Sequence, residues 1–198
     1  MLKQSFAFIL MTVLLAGCAP KGAAPPAKVK ALANPTSTGF TEKPTTTPSS
    51  ILEVVPHNPP PTCPVTVPQN PLFVPPAPYD SLGFEGSFWY GSNSLWTAIP
   101  RDGVWWGLPA HASGYSQKVF WWREGYDWAE EPEPDLIVTG ERLDAPAPPV
   151  VVSKGTNAYA GDIGSAMLVG VDFPTLGCWK LTGNYRDAEL SFVVWVAP

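Results

Sequence analysis

Proline limits this chain more than any other residue. It fills 25 of 198 positions, over twice the usual share of about 5 %. The proline ring locks φ and removes a backbone donor, so helix interiors do not accept it. A helical bundle or coiled coil does not accommodate that much Pro, and no window carries a convincing helical period. After Ser87 the chain reads as short runs of Val, Ile, Trp, Phe, Tyr and Thr parted by Gly, Pro and Asp, the composition of pleated, half-buried strands. Strands are expected near 87–91, 94–100, 103–108, 118–123, 136–143, 150–153, 166–173, 178–182 and 188–196. Regular short strands with such turns predict a β-sandwich or barrel.

Proline also divides the chain. Residues 18–62 are dense in Pro, Ala, Thr and Ser, as in Ala23-Ala24-Pro25-Pro26 and Thr45-Thr46-Thr47-Pro48. Large apolar residues there are too sparse to offset chain-ordering entropy, so a disordered linker with polyproline II character is expected. From Cys63 to Pro198 all nine Trp appear, with 15 acidic and 7 basic residues. This stretch is the predicted domain, long enough to bury a core. Its negative balance, and the chain's net −5, argue against nucleic acid as a partner, because nucleic-acid binders carry a basic face.

At the N-terminus, Lys3 precedes an apolar run from Phe6 to Ala16, too short for a bilayer span of about 20 residues. A charged start, a short apolar core and small residues at the end make a secretory signal. The sequence Leu15-Ala16-Gly17-Cys18 resembles the lipobox of bacterial lipoproteins. The resemblance implies that residues 1–17 are removed as a signal peptide and that Cys18 receives diacylglycerol and often a further, palmitate-type chain. Residues 18–62 then become a lipid-anchored tether. Two or three acyl chains, at ~0.8 kcal/mol per buried methylene, anchor stably where one does not. Membrane lipid is the implied partner, and export to the cell envelope the implied localisation. Ala19 stands where an Asp would retain the protein at the inner membrane, which points to the outer membrane in a Gram-negative source. The alternative is an ordinary signal peptide with a chance cysteine.

The segment Phe173-Pro174-Thr175-Leu176-Gly177-Cys178-Trp179-Lys180-Leu181 resembles the Pro-x-Gly-x-aromatic-x-aliphatic segment that opens the penultimate strand of bacterial immunoglobulin-like domains. It implies that Trp179 plugs the core, that 184–187 is the last turn and that 188–196 is the last strand. The expected fold class is therefore all-β, an immunoglobulin-like sandwich over 63–198. The resemblance carries no activity.

With Cys18 lipidated, Cys63 and Cys178 remain. An exported protein lives where disulfides persist, and two leftover cysteines invite pairing. If Trp179 and Leu181 face inward, Cys178 faces outward, and a bond to Cys63 would staple the incoming chain to the outside or rim of a sheet.

Asp102-Gly103 between two apolar runs is a hairpin signal. Hairpin pairing would put Leu95, Thr97, Ile99, Val104, Trp106 and Leu108 on the core side, and Trp96 and Trp105 on the outer face. The doublet Trp121-Trp122 must likewise send its rings to opposite faces. Trp96, Trp105 and Trp122 are thus candidate ligand-binding residues, a platform for a glycan or a protein partner. The competing reading is that the Pro-rich segment 63–78 docks on these rings itself. Glu124 to Asp135 places six carboxylates in twelve residues, either a solvated loop or an oxygen-rich calcium site, although the spacing does not match an EF-hand. His111 is the one histidine of the domain. It could serve a hydrolase with a serine and an acid, but no Gly-x-Ser-x-Gly elbow is present. Gly161-Asp162-Ile163-Gly164-Ser165 lacks the Lys-Ser/Thr ending of a phosphate loop. No residue set calls for a metal or cofactor. The chain reads as a non-enzymatic binding or structural module at an envelope surface, with the hydrolase as the alternative.

Overall fold

The computed structural model describes residues 56–81 and 85–198; Cys18, the lipobox and most of the predicted linker lie outside them. Eleven strands follow a short 3-10 turn at Tyr79–Ser81: β1 Ser87–Ser92, β2 Leu95–Pro100, β3 Val104–Trp105, β4 Ala110–His111, β5 Gly114–Trp122, β6 Leu136–Arg142, β7 Val151–Val152, β8 Thr156–Ala160, β9 Gly164–Phe173, β10 Gly177–Tyr185 and β11 Ala188–Val196. They form two sheets. One runs β1-β2-β5-β9-β7, with β4 beside β5 and β8 beside β9; the other runs β3-β11-β10-β6.

Alternate residues along each strand meet between the sheets, as a period of two requires. Leu95, Ile99, Val119, Trp121, Val169 and Phe173 face Leu136, Val138, Trp179, Leu181, Phe192 and Val194. The order β2-β5-β9-β7 against β6-β10-β11 is the A-B-E-D and C-F-G arrangement of immunoglobulin domains. The predicted fold class holds. Trp179 plugs the core as expected, packed on Phe173 at 5.5 Å between ring centroids, with its Nε1–H donating to the Thr175 carbonyl at 3.1 Å. Gly177 is required twice over. Its φ is +135°, and a Cβ there would lie 2.6 Å from Arg142 Nε.

The Asp102-Gly103 turn is not a hairpin. β2 leaves the first sheet at Pro100, and the chain re-emerges as β3 in the second sheet, parallel to β11. The crossing reverses the expected faces after the turn. Val104 points outward beside Cys178 and Trp195. Trp105 enters the core against Phe173 and Phe192. Trp106 is 64 % exposed. The turn chemistry is local, with the Val104 N–H donating to Asp102 Oδ1 at 3.0 Å, and it does not specify whether the next strand stays in its sheet. β4 and β8 are further strands that the sequence pattern did not mark.

Cys63 and Cys178 are bonded, with Cα atoms 5.6 Å apart. The bridge lies on the outer side of the second sheet with Val104, Trp195 and Ala197, as expected from the inward turn of Trp179 and Leu181. Docked chain begins before Cys63, however. The Trp195 Nε1–H donates to the Pro56 carbonyl at 2.9 Å, within the stretch read as linker. Beyond the bridge, the Thr66 N–H donates to the Val193 carbonyl at 2.8 Å. The strap then reaches the outer face of the first sheet, where Phe73 and Tyr79 cover Trp96.

Candidate functional site

The three candidate tryptophans form no exposed platform. Trp96 and Trp122 are 0 % exposed and Trp105 is 7 % exposed. Trp96 does lie on the outer face of its sheet, but the rings of Phe73 and Tyr79 close over it, and Tyr79 Oη is fixed by donation to the Ser165 carbonyl at 3.0 Å. Trp122 packs edge-on to Trp89 at 5.0 Å and donates its Nε1–H to the Ile163 carbonyl at 2.9 Å. The Pro-rich segment 63–78 supplies part of the cover over Trp96 through Phe73, with Tyr79 just beyond it, whereas Trp122 is packed by Trp89 and Phe120. Trp105 is buried for the separate reason of the sheet crossing. Trp105 and Trp122 share one small notch of about 270 Å³ with Ala98 and Phe120. It opens where β2 diverges from β5, which it pairs only at Trp96–Trp122 and Thr97–Trp121.

His111 is not isolated. β4, β5 and β9 lie side by side and bring His111, Ser116 and Asp172 together on the outer face. Ser116 pairs in register with Asp172, and its hydroxyl donates to Asp172 Oδ1 at 2.5 Å. Ser116 Oγ can then only accept from His111 Nε2, 2.6 Å away; in the Nε2–H tautomer Nδ1 accepts from the Ser113 hydroxyl at 2.9 Å. Ser113, His111, Ser116 and Asp172 thus form one directed chain ending on a carboxylate. The order differs from a serine–histidine–aspartate triad, in which the ring sits directly on the acid. Here His111 Nε2 lies 3.5 Å from Asp172, with Ser116 between them.

The densest grouping of chemistry lies elsewhere. β10 and β11 run from the bridge, where Cys178 pairs with Trp195, to the far end, where Tyr185 pairs with Ala188. At that far pole gather the loop 123–135 between β5 and β6, the turn 161–163 and the turn 186–187. The acidic loop folds back on this pole and does not close on a metal. Glu131 accepts from Tyr185 Oη at 2.5 Å and from Arg186 at 2.8 Å, Glu133 meets Lys154, and Arg123 reaches Asp187 at 2.9 Å. Among the described residues no three His, Cys, Asp or Glu side chains converge on a cation position. Burial, and then the negative charge of Glu131, push the Tyr126 hydroxyl up to about 12. Burial and its bond to Glu131 raise Tyr185 further in the same direction. Both phenols therefore stay protonated donors.

On the side of this pole the rings of Trp128 and Tyr159 stack, with centroids 5.3 Å apart and planes tilted by 22°. They are 39 % and 60 % exposed. Their positions are set by Asn157, whose N–H donates to the Pro132 carbonyl at 3.0 Å and whose Nδ2 donates to the Trp128 carbonyl at 2.6 Å. The sequence reading missed this pair. The available signal was Trp128 itself, set among acids and prolines with no alternating pattern to bury it; Tyr159 lies on the unmarked β8. Comparison of the chain with family models, with curated proteins and with solved structures finds no match.

Proposed function

We propose that this chain is a bacterial lipoprotein, exported and anchored through acylated Cys18, whose sandwich is a non-enzymatic binding module at the cell envelope with its ligand-binding residues on the pole that holds Trp128 and Tyr159. One observation carries the reading. The chain arrives at Pro56 and Cys63 beside the start of β10 and the end of β11, and the exposed aromatic pair sits at the opposite ends of those strands. A nine-residue strand separates the two by on the order of 27 Å, so a ligand-binding pole is held away from the side on which a tether arrives. The pairing of the two remaining cysteines agrees with an oxidising compartment. Among the described residues no helix is long and apolar enough to cross a membrane. The test is metabolic labelling with radioactive palmitate, followed by membrane fractionation. Label should enter the full chain and not the Cys18→Ser form, which should leave the membrane fraction. Unlabelled wild type, or a Cys18→Ser form that stays bound, removes the anchor.

A second reading rests on the directed chain from Ser113 to Asp172. Ser113 could act as a nucleophile with His111 Nδ1 as its base, Asp172 steadying the imidazolium through Ser116. The wild-type chain would then be labelled by a fluorophosphonate, and Ser113→Ala would not. Equal labelling of the two, or none, ends the hydrolase reading.

A further inference from the structure

We infer that the pole carrying Trp128 and Tyr159 binds an arginine-bearing segment of a protein partner. This rests on the reading that the same pole holds the ligand-binding residues.

The first argument is charge. The loop 123–135 and the turns 161–163 and 186–187 carry eight carboxylates against two arginines. Both arginines are already engaged, Arg123 by Asp187 and Arg186 by Glu131, and the nearby Lys154 is held by Glu133. Asp127, which flanks Trp128, accepts the Ala129 N–H at 2.8 Å. Neither it nor Glu130 has an ion-pair partner among the described residues. Acids crowded in this way repel one another, and an incoming cation relieves that repulsion.

The second argument is shape. Stacking uses one face of each ring and leaves flat aromatic surface in solvent. The pair is pre-ordered by the Asn157 bonds, and the loop by donation of Tyr126 Oη to the Glu131 carbonyl at 2.9 Å, so a ligand need not order it. A guanidinium matches both features, because it is planar, stacks on aromatic faces and forks onto carboxylates. An ammonium supplies the charge without the plane. A neutral sugar supplies a stacking face and leaves the charge uncompensated.

The experiment is calorimetry on the full chain in detergent micelles. The probes are a Gly-Arg repeat octapeptide, its Gly-Lys counterpart and a neutral β-linked tetrasaccharide. The arginine peptide should bind several-fold tighter than the lysine peptide. Trp128→Ala should weaken it about tenfold, with Trp128→Phe retaining most of the affinity. Asp127→Asn with Glu130→Gln should weaken it and flatten its salt dependence. Thermal midpoints lowered by no more than a few degrees, still far above the temperature of the titration, separate these effects from unfolding. Equal affinity for the two peptides, or no loss in Trp128→Ala, overturns the inference. Trp128-dependent binding of the tetrasaccharide without arginine-peptide binding overturns the partner class and leaves the binding pole standing. Absence of any Trp128-dependent binding overturns both.

Discussion

The two poles of this sandwich are built on different principles. The pole where the chain arrives is tied by covalent and bidentate links. The Cys63–Cys178 bond sits there, and Arg142 grips Asp144 with Nε–Oδ1 at 2.7 Å and Nη2–Oδ2 at 3.2 Å. Asp144 also accepts the Cys178 N–H at 3.1 Å. The opposite pole has no covalent tie among the described residues. It is held by buried phenols donating to Glu131 and by arginine–carboxylate pairs, with acids left over. The difference separates a fixed end from an end whose surplus charge and exposed rings remain free for a ligand.

The largest expected effect breaks the first pole. The Cys63→Ser, Cys178→Ser double variant closes no loop in the unfolded chain. A sequence separation of 115 corresponds to about 4–5 kcal/mol in the chain-entropy model, to be read from urea denaturation. Gly177→Ala should cost about 2–3 kcal/mol by the same measurement, because it forces a side chain into a left-handed φ and against Arg142. A cost below about 0.5 kcal/mol would mean that the turn relaxes freely.

pH should pull the two poles apart. Burial would raise the Asp144 carboxyl, but its bonds from Arg142 and from the Cys178 N–H hold it below the usual range. Its contribution is present above the unfolded carboxylate value and is lost as pH falls through the lower folded value. Tyr126 is shifted the other way, so its contribution is complete below about 10 and is lost as pH rises toward about 12. Asp144→Asn should flatten only the acid limb of a stability–pH curve, and Tyr126→Phe only the alkaline limb. Tyr185→Phe, which removes the hydrogen bond to Glu131, should cost about 1–2 kcal/mol at neutral pH. Trp128→Ala should cost least, about 0.5–1 kcal/mol for a half-exposed stacked ring. A loss comparable to that of the disulfide would show that the aromatic pair holds the fold together.

The strand pattern, the penultimate-strand segment and the outward Cys178 were legible because each rests on a short-range rule: alternation of faces, a turn that needs glycine, or the parity of side chains along one strand. The sheet crossing at Gly103 was not legible. A Gly whose added Cβ would lie 2.7 Å from Val65 Cβ looks in sequence like any hairpin glycine, and the strand partner is chosen by the strap and by β11. The same non-local choice placed Trp105 in the core. The cover over Trp96 was visible as one of two readings, since alternation sets a residue's face and not what lies on it. Trp128 and Tyr159 are 31 positions apart and meet only because β8 borders the acidic loop, which no local pattern announces.

The bond from Cys63 to Cys178, the second residue of β10, also has a mechanical meaning. Any pull arriving along the preceding chain passes the single hydrogen bond at Pro56, reaches residue 63 and is handed across the covalent bond to residue 178, bypassing the chain between them at a sequence separation of 115. Tension on a leash would load the penultimate strand and leave nearly the whole fold, including the acidic pole, slack.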